Sequence, residues 1–158
     1  MVLSKQLGVF LNFVHNRCKQ NVNEAFEKGG FKITAEQFLL LDTLWTEGAI
    51  SQQRIADVML KDKNSVVKLV DSLESHGLVR RSTNAKDRRQ NIISTTAKAD
   101  GIQDALTAIA LQTVEAITDG IPAGDIDTFI NVLDAMAANM DQDVKLKERA
   151  LIFPTKKA

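Results

Sequence analysis

One cysteine, Cys18, is all this chain carries, so no disulfide can close within it and nothing points to an oxidising compartment. No apolar run approaches the roughly 20 residues that span a bilayer, and no membrane role is expected. The only other soft ligands are two histidines, His15 and His76, which form no cluster at metal-site spacing. A glycine-rich phosphate loop and a nucleophile elbow are both missing. No metal, no cofactor and no enzymatic activity are therefore expected. The start, Met1-Val2-Leu3-Ser4-Lys5, lacks the charged-then-apolar order of a signal peptide, which favours a cytoplasmic protein. Internal repeats and low-complexity segments are absent as well. What remains is ordinary in composition: 158 residues, 44% apolar and 25% charged, suited to one domain or two small subdomains sharing a core.

Net charge is zero, but its distribution is uneven. From Lys61 to Arg89 there are eight basic and four acidic residues, a local excess of +4. From Ala99 to Val144 there are nine acidic residues and neither lysine nor arginine. One face of such a molecule attracts phosphates while its other end repels them.

Periodicity predicts a mainly α chain with a small β-hairpin. The first helix is expected over about Ser4 to Lys28, where Leu3, Leu7, Phe10, Leu11, Val14, Cys18, Val22 and Phe26 form one apolar stripe ending at Gly29-Gly30. Thr34 and Gln37 have capping-box spacing for a second helix that buries Phe38, Leu41, Leu44 and Trp45. Ser51 is a good N-cap for a third, burying Ile55, Val58 and Met59, and Asp62 for a fourth, burying Val66, Leu69, Val70 and Leu73. Leu78–Arg81 and Asn91–Ser94 read as hairpin strands joined by the polar stretch Ser82–Gln90. Thr96 is expected to cap one long fifth helix. After Gly120-Ile121-Pro122 a sixth carries Ile126, Phe129, Ile130, Leu133, Met136, Ala137 and Met140 in register. The first, fifth and sixth helices hold more apolar face than the helix pair can cover, so a two-fold homodimer is expected.

A short helix pair beside a basic hairpin can occupy two grooves of a DNA duplex at once. On the fourth helix, Lys63, Asn64, Ser65 and Lys68 are the candidate base and phosphate contacts. Asparagine can pair bidentately with adenine, and lysine can donate to guanine or phosphate. A solvated helix start has the same composition. On the hairpin, Arg89 is the candidate for a narrow minor groove, where negative potential is concentrated. Asp87 is expected to orient its guanidinium, and Lys86 and Arg88 to meet phosphates.

Three runs carry a family resemblance: Ile33-Thr34-Ala35-Glu36-Gln37-Phe38, Ser51 to Met59, and Val66 through Leu73 to Gly77-Leu78-Val79-Arg80-Arg81. With Asp87-Arg88-Arg89, which matches an Asp-x-Arg wing signature, they resemble the MarR family of bacterial transcriptional regulators. The resemblance extends from about Leu3 to Met140 and is most specific from Ser51 to Thr96. It departs at Thr95-Thr96 and Ala99, where the family usually has Leu-Thr and then glycine. It implies a winged helix–turn–helix domain over 33–96, a helical dimerisation region over 1–32 and 97–144, and a tail over 145–158. It also implies a homodimeric, sequence-specific regulator of double-stranded DNA, a repressor by preference, answering to a small, often phenolic effector. The fourth helix would enter the major groove and Arg89 the minor groove. Two alternatives stay open: a winged-helix protein-interaction module without DNA binding, and a redox-sensing regulator acting through Cys18. Against the second, Cys18 sits in the apolar stripe, and the chain has no tyrosine.

Overall fold

Capping chemistry sets most of the helix boundaries. The computed structural model describes residues 3–141 and Leu146. Helix α1 (Leu3–Lys28) ends at Gly29-Gly30, where Gly30 takes a φ of 85° that a side chain would resist. The expected capping box forms at Thr34: its hydroxyl accepts from Gln37 N at 3.2 Å, and Gln37 Oε1 accepts from Thr34 N at 2.9 Å. Helix α2 (Ala35–Glu47) follows and stops at Gly48. Ser51 caps α3 (Gln52–Met59) through Arg54 N, and Asp62 caps α4 (Lys63–Ser75) through Ser65 N. Between them Leu60 turns the chain at a φ of 53°.

Strands β2 (Val79–Thr83) and β3 (Asn91–Thr95) make the expected hairpin, with Val79 opposite Thr95 and Thr83 opposite Asn91. A third strand joins them. The two-residue β1 (Ile50–Ser51) pairs antiparallel with β3, Ile50 opposite Ile93 and Ser51 opposite Ile92, giving the order β1-β3-β2. Two residues are too few to show alternation, and Ser51 also serves as an N-cap, so this strand is hidden in the sequence.

The single long helix expected from Thr96 is in fact two. Thr96 Oγ1 accepts from Ala99 N at 3.3 Å and donates to Gly77 O at 2.7 Å, yet the helix it caps, α5, spans only Ala97–Asp100. The ladder then tightens at Ile102, whose N–H reaches back three residues to Ala99 O, before α6 (Gln103–Ile117) begins. The two pieces answer to different partners. Fully buried Ala99 seats α5 against β3, and Trp45 Nε1 donates to Asp100 Oδ1 at 3.1 Å, whereas α6 packs along α1.

One core joins these elements, including Phe26 of α1, Leu41 of α2, Ile55 of α3, Val70 of α4, Ile93 of β3 and Leu106 of α6. The α1 stripe enters it only at its C-terminal end. Val22 packs against the core, while Phe10 and Phe13 are 62% and 64% exposed. These elements make one compact unit, Met1–Ile117; a second, from Thr118 on, contains α7 (Ala123–Met140), which starts after Pro122 as expected. Within α7 no residue is buried, and Phe129 and Ile130 are exposed. The tail from Lys145, with its Ala150–Phe153 cluster, and residues 142–144 lie outside the described residues apart from Leu146.

Asp42 of α2 is partly buried, and its Oδ2 has no hydrogen-bond partner among the described residues. Burial pushes its carboxyl up from 3.8 to about 6. Ionisation is thus harder in the folded chain, so the destabilisation is absent below pH 3.8, grows through that window and is complete above about 6. Asp42→Asn should stabilise the fold by about 1 kcal/mol near neutral pH, a figure discounted for solvent screening, and by nothing near the lower end of the window. Urea denaturation at both ends of the window checks this; an equal gain at the two would remove the desolvation argument.

Candidate nucleic-acid interface

The start of α4 presents Lys63 and Asn64 to solvent, and Lys68 follows one turn later, also exposed. Ser65 is different. Its hydroxyl donates to Asp62 Oδ2 at 2.6 Å and its N–H to Asp62 Oδ1 at 2.9 Å, so it is engaged in the helix cap. That hydroxyl bond is the main reason the Asp62 carboxyl lies below its usual range. Ser65 keeps lone pairs to offer, but its proton is taken.

The wing tip, residues 84–90, is closed by Asn84 N donating to Gln90 O at 3.0 Å. Two side chains shape it from within. Asn84 Oδ1 accepts from Lys86 N and Asp87 Oδ1 from Arg89 N, each at 3.0 Å. Both are Asx turns. The expected pairing of the Asp87 carboxylate with the Arg89 guanidinium is therefore corrected: Asp87 holds the Arg89 backbone, and among the described residues no ion pair joins the two side chains. In so tight a turn the amide two residues on is the nearest donor. Lys86, Arg88 and Arg89 are exposed.

Helix and wing meet at a cleft of about 250 Å³ lined by Ser51, Gln52, Gln53, Lys63, Arg89, Gln90 and Asn91. It unites Lys63 of α4 with Arg89 of the wing and adds the first turn of α3. The other expected contact residues, Asn64, Ser65, Lys68, Lys86, Asp87 and Arg88, do not line it. Two residues missed by the sequence reading hold the cleft together: Asn91 Nδ2 donates to Gln52 Oε1 at 3.3 Å, bridging β3 to α3. Lys98 was also missed. Its Nζ donates to His76 O at 2.7 Å and places a cation at the end of α4.

Ion pairing sorts the local cations. Lys61 bonds Glu36 Oε1 at 3.3 Å, and Lys19 of α1 bonds the same oxygen at 3.0 Å. These contacts, Lys19's first, hold the Glu36 carboxyl below its ordinary value. Arg81 is clamped by Asp71 and Glu74 of α4. The remaining six basic residues of the Lys61–Arg89 stretch take part in no ion pair among the described residues.

Residues 33–90 match the family model described as MarR family. Over these residues the chain is similar to the MarR family. Solved structures extend the likeness beyond the matched segment. A MarR-family transcriptional regulator from Rhodococcus sp. RHA1 is 26% identical, with a TM-score of 0.73 over 85% of this chain and 94% of that one. CouR from Rhodococcus jostii RHA1, bound to p-coumaroyl-CoA, is 25% identical, with a TM-score of 0.71 over 85% and 94%. A cysteine-to-serine mutant of MarR from E. coli, complexed with operator DNA, has a TM-score of 0.78 over 85% and 96%; at 21% identity it shows the shared fold alone. On α1, Cys18 is half-buried and His15 exposed.

The Asx turn makes a measurable claim about the wing. Asp87→Asn keeps an acceptor for Arg89 N and should leave that amide's hydrogen exchange near wild type. Asp87→Ala should speed it by roughly 5-fold, the equivalent of one hydrogen bond worth about 1 kcal/mol. Equal acceleration in both variants would return the role to the carboxylate charge.

Proposed function

We propose that this chain is a transcriptional regulator that binds double-stranded DNA as a homodimer, with α4 in the major groove and the wing in the adjacent minor groove. One observation carries the reading: Lys63 and Arg89, from separate elements, line the same cleft, and neither is in an ion pair among the described residues. Lys63, Asn64 and Lys68 meet bases and phosphates, Ser65 contributes as an acceptor, and Lys86 and Arg88 serve the backbone. Arg89 enters the minor groove, and Asp87 positions it through the backbone.

A homodimer is supported by the exposed apolar residues of α1, Val9, Phe10, Phe13 and Val14, and separately by those of α7. Two such heads, about one helical turn or ~34 Å apart, fit a pseudo-palindromic site. The helical regions 1–32 and 97–144 are the proposed dimerisation part and 33–96 the DNA-binding part. Repression rather than activation rests on the family resemblance. Release by a small-molecule effector draws support from CouR, whose structure holds p-coumaroyl-CoA. The alternative of an interaction module gains nothing from six cations of α4 and the hairpin that form no ion pair among the described residues.

A mobility-shift titration on duplex from upstream of the chain's own coding region, at two salt concentrations, tests the proposal. Affinity should fall steeply with salt, because each protomer neutralises several phosphates. Arg89→Ala should lower affinity by roughly 10- to 100-fold, and Lys63→Ala should reduce the salt slope by about 1. Salt-independent wild-type binding together with an unaffected Arg89→Ala variant would falsify it.

A further inference from the structure

Gln52, the first residue of α3, is only 9% exposed although it lines the cleft. The bond from Asn91 to its Oε1 fixes which end of the amide is satisfied, and the end left over, Nε2, has no hydrogen-bond partner among the described residues. A buried donor left unmade is costly, and native structures keep few of them. Its persistence here makes sense if the acceptor comes from outside the chain.

The surroundings say what kind of acceptor. Lys63 and Arg89 line the same space without an ion-pair partner among the described residues, so the position favours negative charge. The first turn of α3 adds to this. Ser51 Oγ takes up the Arg54 N–H at 3.1 Å, while the N–H groups of Gln52 and Gln53 belong to the opening turn of an eight-residue helix, where the ladder offers them no carbonyl. Amide hydrogens and the positive end of the helix dipole together suit an oxyanion.

We infer that Gln52, the α3 N-terminus, Lys63 and Arg89 form the seat of one DNA backbone phosphate, with Gln52 Nε2 donating to a non-bridging oxygen. This rests on the DNA-binding reading and adds to it a residue that neither the wing nor the recognition helix contains. Asn91 is the first residue of β3, so the phosphate is gripped by the helix pair and the wing base through one linked amide pair. Because Gln52 is neutral, it strengthens binding without releasing a counterion, and because it contacts phosphate, it does so on any sequence.

The test uses fluorescence anisotropy with the full chain and a mixed-sequence duplex of about 30 base pairs at low salt, alongside the upstream duplex. Gln52→Met keeps the length and removes the donor. It should weaken both duplexes by roughly 10-fold and keep the wild-type salt slope, while its melting temperature reads the balance between removing an unsatisfied donor and losing the Asn91 bond. Gln52→Glu, placing negative charge in the seat, should weaken binding further. In a methylphosphonate scan of the duplex, one neutralised phosphate should cost wild type roughly 10-fold and the Gln52→Met variant much less. Should Gln52→Met fold poorly, the scan read against Gln52→Glu decides alone. Wild-type binding with Gln52→Met within twofold, or a scan with the same profile in both proteins, overturns the inference while leaving DNA binding intact. Absence of wild-type DNA binding overturns the function itself. Inorganic phosphate held through Gln52, without any methylphosphonate effect, reassigns the seat to a free oxyanion and overturns the DNA assignment.

Discussion

Strand β3 is hydrogen-bonded along both edges, and the placement of the candidate contacts depends on that. A two-stranded hairpin alone is marginal in water. Here Ile93 is fully buried and stands in one row between Ile50 of β1 and Arg81 of β2. The residue after Ile50 caps α3, and Arg81 is clamped by two carboxylates of α4. That row therefore ties the start of α3, the wing and α4 into one assembly. Lys63 and Arg89 can share a cleft because neither of their elements is free to swing. Without β1 the wing would be hinged at its base, and the distance between those cations would be undefined.

A formally neutral chain can present a basic surface because its charges are not used alike. Within the Lys61–Arg89 stretch every carboxylate has a local duty: Asp62 caps α4, Asp71 and Glu74 hold Arg81, and Asp87 closes the wing tip. Such exposed pairs contribute little stability individually, but they fix geometry and neutralise their partners at short range. Field at the surface then comes from the cations outside these contacts, three of which sit on the wing tip. Counting residues gives the sign of this stretch, and only the partners reveal how many of its anions are already engaged.

Features that depend on neighbours in sequence were legible from it. The caps at Thr34, Ser51 and Asp62, the glycine stops and the buried faces of α2 and α4 each rest on spacings of three or four residues, which a helix converts directly into contact. Features that depend on residues far apart were not. Strand β1 is defined by pairing with residues some forty positions later, and the break near Gly101 by the rival demands of β3 and α1. Asp87 was assigned correctly to the wing but to the wrong end of Arg89, because a sequence shows that a carboxylate is near without showing which donor is nearest. Gln52 gave no signal at all. Glutamine at the start of a helix is unremarkable until Asn91 arrives to occupy one side of its amide.

Helix α1 shows the same limit from the apolar side. Its stripe is continuous in sequence, yet the chain's own core takes up only the C-terminal part around Val22 and Phe26. Phe10 and Phe13 remain more than half exposed, and each large apolar side chain left in water forgoes about 1.5–3 kcal/mol of burial. Periodicity specifies that a face is to be covered but carries no information about what covers it. If a second copy does so, ordering of the N-terminal half of α1 and association become one process. The stability of that half then belongs to the assembly and depends on protein concentration, whereas the winged unit, built around Ile93 and Leu41, owes its stability to the chain alone. In that case the two ends of a single helix answer to different equilibria.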